Sequence, residues 1–388
     1  MEPYRGFAEI NGKKILWETT FDKSVKLKCT HCGFSCTCSH VDLSDEDLKK
    51  IKEKGYADFY QNYKKDNEEG FFIKGSDLGM CPFRKEQKCS IHEFKPTICT
   101  LYPLKLAPVS KEKIYIDLTY GCKAMLDDDF SQENIIDFSS IIKQNYPVLK
   151  FDFFGYQTFE QFYDNMKNML EEEIVLKKGW AGLILSLLRL NNLSELWDLM
   201  NEFQKTQKEK YTKLDKSNLD FYLRDSIISY MGKEFQASQF YDKSYLMNVS
   251  NVQRPYNTIN WETNLPYYIK LLENKIEIVE GNDRKEIEIN KIKIKNLSSK
   301  AKELIVDYFL KLWDRQTLWQ FFCISFYTAK KANPMLSSLN SQIEIMKRKM
   351  LFLQFMMDIV AEKNSHEIIE LRDAKEALMM TDLLFMQS

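Results

Sequence analysis

Eight of the nine cysteines in this 388-residue chain fall between Cys29 and Cys122, and that density decides what the first third of the chain must accommodate. They open with Cys29-Thr30-His31-Cys32-Gly33-Phe34-Ser35-Cys36-Thr37-Cys38 and continue through Cys81-Pro82-Phe83 to Cys89-Ser90-Ile91-His92. The run closes with Lys95-Pro96-Thr97-Ile98-Cys99 and Gly121-Cys122, and only Cys323 stands apart. Thiolates are soft ligands that suit zinc or iron-sulfur clusters, and short loops present them with little chain entropy to lose on binding. The competing reading is a disulfide framework. Clustered cysteines without an export signal point instead to a reducing compartment, where such patterns are metal sites or catalytic. Eight thiols can serve two four-thiolate sites, hence two 4Fe-4S clusters, two zincs or one of each, and spacing does not set the pairing. His31, His40 and His92 lie close by as alternative ligands, but the thiol count already completes two sites, which favours reading them as ordinary loop histidines.

Charge narrows the partners. With 55 basic against 56 acidic residues, no global field draws the chain to nucleic acid or to an anionic membrane. Met1 to Gly6 lacks the basic flank and apolar run of a signal peptide, and no apolar stretch reaches the roughly 18 residues that span a bilayer. The expectation is a soluble, cytoplasmic protein whose 44% hydrophobic content is ample for real cores.

Local pattern supplies the elements. Phe7–Ile10, Asn11-Gly12 and Lys13–Trp17 read as a hairpin, because Asn-Gly is the favoured type I′ pair. Ser44-Asp45-Glu46-Asp47 is an N-cap followed by acidic residues, opening a helix through Leu48 and Ile51. A short helix over Tyr56 to Lys65 is expected next, and Gly70, Gly75 and Gly79 then return the chain as a loop to Cys81. Leu104–Val109 and Ile114–Leu118 form a second hairpin over Ser110 to Lys113, which brings Cys99 and Cys122 side by side. Asp127-Asp128-Asp129 reads as a solvated turn.

From about Ser131 the pattern becomes helical. Helices are expected over Ile135 to Ile142, from Thr158 with Phe162 and Met166 inward, over Trp180 to Leu190 as a buried segment, and over Ser194 to Lys205. Others are expected over Leu219 to Phe235 and Pro266 to Asn274. Lys275–Glu280 and Ile287–Asn290 alternate at period two across Gly281-Asn282-Asp283 and read as an interrupting hairpin. Helix resumes at Ser298-Ser299 toward Ala332, then over Ser337 to Glu362 and Leu371 to Met386. Trp313, Trp319, Phe321, Phe322, Phe326 and Tyr327 read as helical core, with Cys323 a small buried hydrophobe among them. Met346, Met350, Met356, Met357, Met379 and Met380 likewise read as core. The expected fold class is mainly α: a small cysteine-rich α+β metal-binding N-terminal domain with hairpins, then a helical C-terminal region interrupted by one β-hairpin. The boundary implies domains over 1–130 and 131–388, the second with room for two subdomains.

The ordered string Cys-x2-Cys-x3-Cys, Cys-Pro-Phe, Cys-Ser-Ile, Lys-Pro-x-x-Cys, Tyr-Pro and Gly-Cys resembles the YkgJ-like zinc- or iron-chelating cysteine-cluster family. The resemblance implies that Cys29, Cys32, Cys36, Cys38, Cys81, Cys89, Cys99 and Cys122 are the metal ligands. Thr37 separates two cysteines that are adjacent in the family, His92 replaces a Tyr, and Lys95 and Thr100 each replace an Arg. Lys95 keeps the charge but loses the bidentate fork. The general layout is also similar to that of the flagellin lysine-N-methylases, iron-sulfur proteins that transfer methyl groups from S-adenosylmethionine to protein lysines. That likeness implies one or two 4Fe-4S clusters, with zinc as the alternative, together with S-adenosylmethionine and a protein substrate.

Two other donor-binding designs are disfavoured. A radical enzyme acting on adenosylmethionine would show Cys-x3-Cys-x2-Cys at the head of a β/α barrel, and a Rossmann methyltransferase a glycine-rich turn. The functional alternatives are therefore an iron-sulfur-dependent protein lysine methylase and a non-catalytic metal-binding or electron-transfer module whose helical region binds another protein.

Overall fold

The computed structural model describes residues 2–22, 41–65, 68–73, 81–85, 88–126, 137–149, 179–214, 256–263, 265–272, 275–315 and 334–386. The chain divides into two compact units, one comprising Met1–Phe151, Val252–Lys291 and Leu378–Ser388, the other Asp152–Asn251 and Ile292–Ala377. Helix accounts for 47% and strand for 30% of the described residues, in four sheets, so the chain is α+β and the expectation of a mainly α fold is corrected. No helix among the described residues is long and apolar enough to cross a membrane.

The first unit begins with strands β1 (Pro3–Ile10) and β2 (Lys13–Asp22), turned by Asn11 and Gly12 at φ 50° and 74°, the two left-handed residues a type I′ turn needs. There follow β3 (Asp42–Leu43), α1 (Asp45–Glu53), β4 (Tyr60–Lys65), β5 (Glu68–Ile73), β6 (Arg84–Lys85), β7 (Lys88–Cys89) and α2 (Thr97–Leu101). The second hairpin, β8 (Leu104–Ser110) and β9 (Lys113–Leu118), and helix α3 (Phe138–Asn145) come next. β9 pairs with β8 antiparallel and with β2 parallel, giving one mixed sheet in the order β1-β2-β9-β8. Ile114, Ile116 and Leu118 alternate along β9 and, with Ala8, Ile15, Leu104 and Leu106, form the apolar face onto which α3 lays Phe138 and Ile142. Asp137 caps α3 through the Ser140 amide at 3.0 Å, so the helix starts later than Ile135.

The helix expected over Tyr56 to Lys65 is a single 3-10 turn, Ala57–Phe59, followed by β4. β4 pairs with β5, and β5 with β3, in a small antiparallel sheet, so Gly70 lies inside a strand, not a loop. The helix expected over Pro266 to Asn274 is also a strand. It belongs to a meander of β10 (Tyr256–Ile259), β11 (Pro266–Leu271), β12 (Lys275–Glu280) and β13 (Asp283–Glu288). Proline at the first position suits a strand start as well as a helix start, and Tyr267 and Ile269 alternate inward at period two. Ile269 meets Ile278 and Leu271 meets Ile276 across the ladder, so the expected hairpin at Gly281 is one half of a four-stranded sheet.

The second unit is helical. A helix over 179–186 passes into a 3-10 turn at Leu187–Arg189, followed by α4 (Leu193–Leu214), α5 (Ser299–Asp314), α6 (Pro334–Lys363) and the start of α7 (Leu371–Met386). Trp180, Ile184 and Leu187 are buried while Leu185 and Leu188 stand 48% and 47% exposed, so this segment buries one side, not its whole circumference. Ser298 caps α5 as the Ser298-Ser299 pair implies. Met346, Met350, Met356, Met357, Met379 and Met380 are all buried, as core methionines. Polar groups in this core are tied down: Gln354 accepts the Leu193 amide at 2.9 Å and donates to Asp358, whose Oδ1 takes the Lys295 amide at 2.9 Å. The helices expected from Thr158 and over Leu219 to Phe235, and the aromatics Trp319 to Tyr327 with Cys323, lie outside the described residues.

Candidate metal centre

Of the eight candidate ligands, Cys81, Cys89, Cys99 and Cys122 are described, all half-buried. Cys29, Cys32, Cys36 and Cys38, together with His31, His40 and Asp127 to Asp129, lie outside the described residues.

Cys81, Cys89 and Cys99 pack against one apolar cluster made by Val41, Leu43, Leu48, Ile51, Ile73, Phe83 and Ile91. Cys89 ends β7 and Cys81 lies three residues before β6: Cys89 pairs with Arg84, the Arg84 amide donates to the Cys81 carbonyl at 3.1 Å, and the Ser90 amide to the Phe83 carbonyl at 2.8 Å. Phe83, between the two cysteines in sequence, is 2% exposed and serves as the hairpin's anchor. Its ring lies 5.2 Å from Tyr56, edge-on, and 5.1 Å from Phe59, so the turn that displaced the expected helix is what grips it.

Cys99 arrives on α2. At five residues α2 is too short to persist by itself, and a carboxylate from another helix holds its start. Asp47, the third residue of α1, closes a capping box with Ser44 through Oδ2 and accepts the Thr97 amide and hydroxyl through Oδ1 at 3.1 and 3.0 Å. On the exposed face of α1, the hydrogen bond that the Lys50 ammonium donates to the Glu46 carboxylate raises the Lys50 pKa above its ordinary value. His92 lies exposed in the 3-10 turn His92–Phe94.

The β8–β9 hairpin closes as expected at its open end. The Thr119 amide donates to the Pro103 carbonyl at 3.0 Å, and the Tyr102 hydroxyl donates to the Gly121 carbonyl. The chain just after Cys99 is thereby held against the residue before Cys122. Two further residues, silent in the sequence, hold the same segment. Asp382 Oδ2 accepts the Thr119 hydroxyl and the Tyr120 amide, both at 2.7 Å, and Lys123 donates to the Trp261 carbonyl at 3.0 Å.

Among the described residues no group of three or more His, Cys, Asp or Glu side chains converges as a metal site. What the described part offers is a set of soft donors on a shielded wall, a donor set that fits zinc or iron. Asp47, Asp382 and Trp261 were not legible as site residues, since their partners are 50, 262 and 138 residues away in the chain.

Residues 28–123 match the family model CxxCxxCC, described as "Putative zinc- or iron-chelating domain". No curated protein and no solved structure matches the chain.

Proposed function

We propose that this protein binds zinc or iron through cysteine thiolates, with Cys29, Cys32, Cys36, Cys38, Cys81, Cys89, Cys99 and Cys122 as the ligand set. The observation that carries the reading is the packing of Cys81, Cys89 and Cys99 on one apolar cluster inside the matched residues.

Iron-sulfur clusters are the finer form of this reading, supported by a thiol count that matches two four-thiolate clusters. An apolar wall also suits a cluster, because low polarity and limited solvent access tune its potential. Methyl transfer from S-adenosylmethionine to a protein lysine rests on general layout, and no described residue is assigned to it.

The test is anaerobic purification of the full chain, with metal analysis, acid-labile sulfide and an absorption spectrum. Iron with sulfide and a broad visible band supports the cluster; stoichiometric zinc without sulfide selects zinc. A metal-free, folded protein from metal-replete cells overturns the proposal.

A further inference from the structure

Among the groups that hold the segment delivering Cys122, one carboxylate oxygen on a distant helix takes two of the bonds. Oδ2 of Asp382 accepts the Thr119 hydroxyl and the Tyr120 amide at 2.7 Å each, and the Thr119 oxygen in turn accepts the Gly121 amide at 3.1 Å. Thr119 and Tyr120 are therefore bonded directly, and Gly121 through the Thr119 hydroxyl, to one atom on α7. Asp382 is fully buried, with Thr119 4% and Tyr120 6% exposed, so water does not compete for these bonds. On the other side of Cys122, the buried Lys123 ammonium meets the Trp261 carbonyl and lies 4.7 Å from the Trp261 ring centroid. Both clamps come from outside the family-matched residues 28–123, and both belong to the same compact unit as Cys122.

A metal ligand must be presented within a narrow range of position and angle, and partners one shell out are what hold it there. Cys122 follows β9 by only a few residues, and a flexible turn would let its thiol sweep a wide arc. We infer that Asp382 is the positioning residue for Cys122, which makes the C-terminal helix α7 part of the metal centre. This inference rests on the proposed role of Cys122 as a ligand. It follows that residues 28–123 alone hold metal less well than the full chain, because the carboxylate that orients the last thiolate is missing.

The test uses the full-length protein loaded anaerobically with Co(II), whose thiolate charge-transfer absorption reports the number of bound sulfurs. Wild type is compared with Cys122→Ser, Asp382→Leu, Asp382→Asn and Leu378→Ala. Leu378→Ala is the control for helix packing, since Leu378 is a fully buried residue of the same helix with no polar link to the turn. Asp382→Leu is expected to lose one thiolate's share of the band, as Cys122→Ser does, and to release metal to a chelator at least about tenfold faster. Asp382→Asn restores most of both, because the two donors fall on one oxygen that an amide can supply. Site-resolved alkylation should show Cys122 exposed in Asp382→Leu while Cys81 stays protected. If Asp382→Leu does not fold, Thr119→Val is read in its place, since it removes the hydroxyl link and leaves the Tyr120 amide bonded.

A wild-type band and release rate in Asp382→Leu overturns the inference, as does an equal loss in Leu378→Ala, which would mark a purely structural role. Failure of the metal reading itself looks different. It shows as no Co(II) uptake by wild type, or as an unchanged band in Cys122→Ser, before any variant of Asp382 is considered.

Discussion

Asp47 accepts both the backbone amide and the hydroxyl of Thr97, joining the first turn of α1 to the first turn of α2 across 50 residues of chain. One carboxylate thus caps two helices, the second of which carries Cys99. Asp47→Ala removes the capping box and leaves the Thr97 amide to find water, at a cost of about 2 to 3 kcal/mol. Urea unfolding should show that loss, with Asp47→Asn intermediate and Thr97→Val costing about 1 kcal/mol.

Phe83 is the largest side chain on the cysteine-bearing hairpin and is 2% exposed between Tyr56 and Phe59. Phe83→Ala should destabilise the first unit by about 3 to 5 kcal/mol, the range for emptying a buried aromatic site. Cys81 and Cys89 should then alkylate faster than Cys122, a ranking that peptide mass spectrometry can read. Phe83→Leu, which refills much of the volume, should recover most of the protection.

Cys99→Ser and Cys323→Ala separate ligand from packing roles. Cys99→Ser is expected to lower bound metal and with it the stability of the first unit, because metal binding and folding are coupled. Cys323→Ala is expected to leave metal content intact and to cost no more than about 1 to 2 kcal/mol. Metal analysis after desalting checks both, and equal losses would place Cys323 in the ligand set.

In the second unit, Asp358 is fully buried and takes the Lys295 amide and the Gln354 side-chain amide. Asp358→Ala strands both donors and should cost about 3 kcal/mol. Hydrogen exchange should show the loss at the Lys295 and Leu193 amides, the latter held by the other end of Gln354 at 2.9 Å. Asp358→Asn keeps one acceptor and should cost less.

Elements whose signal is local were legible from the residues alone. Asn11-Gly12 set the first hairpin, Ser44 and Ser298 set two helix starts, and the alternation before Gly281 set β12, whereas its partner β13 starts at Asp283 and ends at Glu288, with the expected Ile289 and Asn290 in a 3-10 turn. β4 and β11 were misread because their strand character comes from partners elsewhere in the chain. Tyr60 to Lys65 is extended because β5 is there to pair with it, and Pro266 to Leu271 because β12 offers Ile276 and Ile278. The candidate site divides the same way. Cysteines announce themselves by number, whereas Asp47 and Asp382 are two of many carboxylates until the fold brings Thr97 and Tyr120 to them.

The parallel pairing of β2 with β9, Leu16 to Thr19 against Lys113 to Ile116, has a consequence in polymer terms. The segment from residue 23 to residue 103 leaves from β2 and returns to β8, two strands of one sheet held on either side of β9. The entropy of bringing those ends together is met by the apolar sheet face, not by a bound ion, and it grows only with the logarithm of loop length. Under the proposed metal-binding role, a chain that has released its metal is still tethered at both ends of this segment. The seven proposed ligand thiols between those ends then stay at high effective concentration around one another, and recapture proceeds within a tethered segment instead of from an open coil.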